Sequence, residues 1–132
     1  MTKAKANVLD ILLGVDAGKV KKQRKEVRIK SLSEYAGTDV IFTVEGLSGE
    51  QFERVQENVG DNASQTDIHV FALLEGVVSP NLKDKALRER YGAETPKELV
   101  KKLLLGGEIA NLYLAISEMS GFDEGSVQEV KN

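Results

Sequence analysis

The chain has no cysteine and a single histidine, His69. The first absence removes disulfides, thiolate zinc sites and thiol nucleophiles together. The second leaves no two-histidine metal site and no paired-histidine acid–base mechanism. His69 itself shares a helical stripe with Gln65 and Gly76, the least apolar side of its segment. It therefore reads as a polar-face residue, because a catalytic base would also need an orienting partner and a nucleophile. Long apolar runs are missing too. Asp10 splits the stretch from Val8 to Val15, and Val70 to Leu74 falls far short of the ~20 residues of a membrane span. The N-terminal MTKAKANVLDILLG is followed by no small-x-small cleavage pattern and so is not read as a signal peptide. The segment GVDAGKV, residues 14–20, lacks the spacing of a phosphate-binding loop. Three residues separate its glycines where that loop has four, and Val20 stands where a Ser or Thr should follow the lysine.

What is present describes one globular domain. At 132 residues the chain is long enough to bury about two-thirds of its unfolded surface. Its 41% hydrophobic and 30% charged residues are neither disordered nor membrane-like in proportion, and a cytoplasmic protein is expected. The net charge of −3 is unevenly spread. Residues 19–30, KVKKQRKEVRIK, hold seven basic groups against Glu26, whereas the remainder holds 11 basic and 20 acidic groups. Such a run can track a nucleic-acid backbone. It contains no aromatic residue to stack on bases, however, and Val27 and Ile29 alternate with charges as in a strand with one solvated face. Lys21, Lys22, Arg24, Lys25 and Arg28 are accordingly candidates for docking an acidic protein partner, and nucleic-acid binding is the weaker reading. Glu53 and Glu57, one helical turn apart, read as a solvated stripe rather than a cation site.

Local signals place the elements. Asn7 caps a short helix that ends at Gly14 and is too short to stand alone. Period-2 alternation around Val27 and Ile29, and again at Val40, Phe42 and Val44, predicts an antiparallel hairpin turning at Ala36-Gly37-Thr38-Asp39. Ser48 and Gln51 form a capping box ahead of a helix bearing Phe52, Val55 and Val59, with Leu47 placed to staple onto Phe52. Residues Thr66 to Val78 are apolar around nearly the whole circumference, as in a buried core helix that stops before Pro80. Asp84 to Tyr91 forms a short helix with Asp84 spaced to meet Arg88. Thr95, Pro96 and Glu98 open the next helix with a second capping box, and it ends at Gly106-Gly107. The last helix runs from about Glu108 to Ser120, with Ile109, Leu112, Tyr113, Ile116 and Met119 on one stripe and Gly121 as its cap. The expected class is α+β, a small antiparallel sheet on four or five helices, with residues 1–122 as the domain and 123–132 as a polar tail.

A series of short motifs then recurs in order: Pro80-Asn81-Leu82-Lys83-Asp84, Tyr91-Gly92, Thr95-Pro96, Glu98-Leu99, Leu103-Leu104-Leu105, Gly107-Glu108, Leu114 and Ser120-Gly121-Phe122. This series resembles the XkdN-like family of tail assembly chaperones from phages and prophages of Gram-positive bacteria. One departure is Gly106-Gly107-Glu108 where the family tends to have Pro-Gly-Glu, which loosens the junction between the last two helices. The resemblance implies a non-enzymatic protein without cofactors that coats the aggregation-prone tape measure protein and helps tail tube subunits assemble around it. It also implies action in the host cytoplasm, absence from the finished virion and, in many members, a longer frameshifted form. Self-association is a further expectation. Leu103, Leu104, Leu105, Ile109 and Tyr113 are the candidate apolar anchors for a helical client, with a core role as the competing reading. A structural tail component is the principal rival.

Overall fold

A computed structural model describes residues 7–16, 23–122 and 124–130. Seven helices and three strands follow one another as α1 (Val8–Gly14), β1 (Arg24–Arg28), α2 (Lys30–Ala36), β2 (Ile41–Glu45), α3 (Gly49–Val59), α4 (Gln65–Gly76), β3 (Val77–Ser79), α5 (Lys85–Arg90), α6 (Pro96–Leu103) and α7 (Gly106–Ser117). The expected α+β class holds. The strands form one antiparallel sheet in the order β1-β2-β3, with Val27 facing Phe42 and Arg28 facing Ile41.

The link between the first two strands is a helix, not the tight turn that residues 36–39 suggested. Gly37, at φ 71°, closes α2 with its N–H on the Ser33 carbonyl, which glycine adopts without strain. Ser33 is fully enclosed, and its hydroxyl donates to the Ile29 carbonyl at 2.7 Å while accepting from the Val40 N–H at 2.8 Å. That one side chain ties both ends of α2 together and delivers the chain back into the sheet. The antiparallel pairing therefore survives with a helix in place of the turn.

The third strand was assigned to helix by its apolar pattern. Helix α4 stops at Gly76, and Val77 is extended at φ −85°, ψ 111°, pairing with Val44. A β-branched pair followed by proline has little to hold it helical once a strand edge is available. Helix α4 is otherwise the buried element expected, with Val70, Ala72 and Leu73 enclosed. Gln65, at the start of its least apolar stripe, is exposed, but further along the stripe His69 is half-buried and Gly76 buried, contrary to the polar-face reading of His69. A Cβ on Gly76 would lie 2.8 Å from Ile116, so only glycine admits the close approach of α7, and His69 stacks on Tyr113 at 4.0 Å between ring centroids.

The helix ends differ in informative ways. Ser48 and Gln51 make both bonds of the expected capping box, at 3.2 and 3.0 Å. Thr95 accepts from the Glu98 N–H at 3.1 Å, but the Glu98 carboxylate accepts from the Glu94 N–H, one residue further back than a closed box requires. Asp84 caps α5 by accepting from the Leu87 N–H at 2.8 Å, and Arg88 donates to the Glu94 carbonyl instead of pairing with Asp84. Gly106 and Gly107 lie inside the first turn of α7. Glu108 accepts from the Leu105 N–H at 2.8 Å and from the Ser31 hydroxyl at 2.6 Å, fixing the junction the glycines leave loose and tying it to α2. After Ser117 the helix widens into a turn, Glu118–Phe122, with Gly121 at φ 86°. Phe122 then packs on Phe52 at 5.3 Å between ring centroids.

The core lies between the sheet and the helices α4, α6 and α7, where Phe42 and Val44 from β2 meet Val70, Leu73, Val100, Leu112 and Ile116.

Candidate partner-binding surfaces

The basic segment is already partly engaged within the chain. Arg24 pairs with Glu45 across the strands at 2.8 Å, and Arg28 pairs with Asp39 at the same distance. Lys25 is exposed on β1. Lys21 and Lys22 lie outside the described residues. Two of the five proposed docking cations thus neutralise neighbouring carboxylates, one on β2 and one in the segment that leads into it.

Among the apolar candidates, Leu104 and Ile109 are 4% and 3% exposed and belong to the core, where they join the α6–α7 corner to the sheet. Leu103 is half-buried, Tyr113 is half-buried against His69, and Leu105 is 64% exposed. Partial burial of the ring lowers the His69 pKa, because desolvation disfavours the charged form.

Open grooves run over the described body, and three of them have an apolar lining. One, of about 360 Å³, is bounded by Leu32 and Tyr35 of α2, Phe42 of β2, Leu87 and Tyr91 from the α5 region, and Leu103 of α6. No charged side chain lines it. The second, of about 380 Å³, lies between α4 and α6 over Phe71, Leu74 and Pro96, rimmed by Glu75, Lys83 and Lys97. The Lys97 ammonium lies 5.9 Å from the Phe71 ring centre. The third, of about 260 Å³, lies between β1 and α7, floored by Val27, Ile29, Leu112 and Ala115.

Sequence reasoning missed most of the groove walls. Tyr35 was not singled out, and Tyr91 was read only as the end of a short helix and as part of the Tyr91-Gly92 motif. Phe71 and Leu74 were taken as part of an evenly buried helix, whereas both are half-buried and face the α4–α6 groove.

Ion pairs fix the walls of that second groove. Asp67 accepts from Lys101 at 2.8 Å and meets Lys97 at 3.2 Å, and these two ammonium groups hold its carboxyl well below the usual carboxylate range. Arg54 of α3 pairs with Glu75 of α4 at 2.9 Å, and hydrogen bonding to that carboxylate raises the guanidinium pKa further. Among the described residues no cluster of His, Cys, Asp or Glu could hold a metal ion. None of their helices is long and apolar enough to cross a membrane.

Comparison with known proteins bears on the fold and the family. The solved crystal structure of YqbN superposes with a TM-score of 0.63 at 27% identity, covering 82% of this chain and 93% of that one. In sequence, YqbN of Bacillus subtilis (strain 168) is 46% identical over 52 residues, which are 39% of this chain and 35% of YqbN's length. The phage-like element PBSX protein XkdN, from the same organism, is 24% identical over the full length of both chains. The family model of the phage XkdN-like tail assembly chaperone protein matches residues 9–132. Nearly the whole folded body lies within that match, and the chain belongs to the XkdN-like phage tail assembly chaperone family.

Proposed function

We propose that this protein binds the tape measure protein of a long-tailed phage or prophage, keeps it from aggregating, and hands it to the assembling tail tube without catalysing any reaction. A tape measure protein is long and helical, and its apolar stripes self-associate unless they are covered. The observation that carries the reading is the α4–α6 groove. It offers Phe71, Leu74 and Pro96 as an apolar floor for a helix laid lengthwise, and Lys83 and Lys97 as rim cations for its acidic flanks. Leu105, 64% exposed at the corner between α6 and α7, adds apolar surface. Contact of this size gives modest affinity per copy, so many copies act on one client. Exposed Lys25, with the neighbouring basic residues, suits a secondary contact with an acidic tail protein such as the tube subunit. The work is done in the host cytoplasm, and the protein leaves before the virion is complete.

Co-expression with the product of the long gene expected downstream tests this directly. The client should move from the insoluble to the soluble fraction and co-purify with this protein. No gain in solubility, together with this protein appearing in purified particles, would replace the chaperone reading with that of a structural tail component.

A further inference from the structure

Helix α1 is the one described helix with every residue exposed. Its side chains are nonetheless those of a buried element: Val8, Leu9, Ile11, Leu12, Leu13 and the following Val15 are between 47% and 74% exposed. Val8, Ile11, Leu12 and Val15 stand at i, i+3, i+4 and i+7 and form one stripe, with Leu9 and Leu13 along its flank. Asp10 lies on the other side. The Asn7 carboxamide accepts the Leu9 N–H at 2.8 Å, so the helix start is built deliberately. Seven residues do not hold a helix in water by themselves, and an apolar stripe of this composition requires cover.

The groove between α2, α5 and α6 is the matching vacancy. Its lining is wholly apolar or aromatic, and its rim carries Tyr35, 95% exposed, and Tyr91, 41% exposed. An occupant without charge on its buried face is therefore required, and the α1 stripe meets that condition because Asp10 can stay in water. Among the described residues nothing covers either the helix or the groove. We propose that the occupant is a second copy of this protein, each copy seating its α1 in the other's groove around a two-fold axis.

Area favours the reciprocal form. One seating of a seven-residue helix is a small contact beside the ~1,200–2,000 Å² buried in specific dimers, and a two-fold arrangement doubles it. The inference concerns self-association without any client and stands or falls apart from the tape measure reading.

The test uses the full chain alone in sedimentation velocity. Wild type should run as a dimer at micromolar concentration. The variant Ile11→Asp/Leu12→Asp and the variant Tyr35→Lys/Tyr91→Lys should both run as monomers with unchanged circular dichroism, each dissociation constant rising at least about tenfold. Mixing the two variants restores one intact seating, from the helix of the second into the groove of the first, so a heterodimer weaker than wild type should reappear. A wild type that stays monomeric at about 100 µM, roughly a hundred times the micromolar dissociation constant that such an interface implies, overturns the proposal. So does a dimer that survives both double substitutions, a mixture that fails to associate, or isotope-resolved crosslinks joining α1 only to the groove of its own chain. A chain that is monomeric alone and loses only client binding on α1 substitution would assign the helix to the client.

Discussion

Gly46→Ala tests how the sheet is locked to the end of the last helix. Gly46 joins β2 to α3 and lies against the turn after α7, so closely that an added Cβ would collide with the carbonyl of Met119. Its backbone has an ordinary negative φ, so alanine brings no conformational strain of its own. Elsewhere such a change would stabilise by about 0.4–1 kcal/mol through the unfolded chain. Here the obstacle is backbone, which cannot rotate aside, and the two segments must separate. Separation loosens the 2.8 Å bond from the Leu47 N–H to the Ser120 hydroxyl, worth about 1 kcal/mol net, and more if that N–H stays buried and unpaired. It also disturbs the Phe52–Phe122 contact, worth about 0.5–1.5 kcal/mol. With the strain of overpacking, the expected loss is about 2–4 kcal/mol. For a domain of this size that corresponds to a fall in Tm of roughly 5–15 °C. Urea unfolding followed by circular dichroism gives the free energy, with the m-value checking that the unfolded state is unchanged. Ser120→Ala should cost about 1–2 kcal/mol alone, and considerably less in the Gly46→Ala background because both act at one junction. A Gly46→Ala protein as stable as wild type, or full additivity with Ser120→Ala, would show that the junction does not brace the domain.

Other outcomes follow from burial and charge. Leu73→Ala, at a fully enclosed position, should cost about 2–5 kcal/mol in the same unfolding assay, while Glu53→Gln on the exposed face of α3 should change stability by less than about 0.5 kcal/mol. Ser33→Ala removes the hydroxyl that accepts from the Val40 N–H and should lower stability by about 1–3 kcal/mol. The depressed Asp67 pKa means that its pairing stabilises the fold above the ordinary carboxylate range and that this stability is lost as pH falls through the lowered value. Asp67→Asn should therefore flatten the acid side of a stability–pH profile, and high salt should shrink the difference. Removing residues 123–132 should cost less than about 1 kcal/mol, since Val127 and Val130 are both 88% exposed; a larger loss would place the tail within the domain.

What could be read from the sequence was whatever short-range chemistry decides. Asn7, Ser48 with Gln51, and Thr95 with Pro96 act within four residues of themselves, and each starts its helix where it stands. The antiparallel pairing of residues 24–28 with 41–45 was also legible, because alternation shows which face is buried. Helix α2 was hidden by its own C-cap, since Ala36-Gly37-Thr38-Asp39 serves equally as a hairpin turn, and the decisive bonds come from Ser33 to residues four behind and seven ahead. Strand β3 depends on β2, 33 or more residues earlier, and no local window contains that partner. The grooves were illegible for the same reason. Leu104 and Leu105 are neighbours in a leucine run, yet one is enclosed and the other exposed, and only the corner between α6 and α7 distinguishes them.

The bonds from Ser31 to Glu108 and from Leu47 to Ser120 join residues 77 and 73 positions apart, and α4 makes its most extensive contact with α7. During synthesis the first half of the chain therefore leaves the ribosome with its sheet and α4 still lacking the surface that covers them. At about 5–20 residues per second, that exposure lasts several seconds. Once Ser120 has emerged the domain can close completely, and whatever is translated after it joins a body already folded. A longer product of the same reading start would thus carry this domain unchanged.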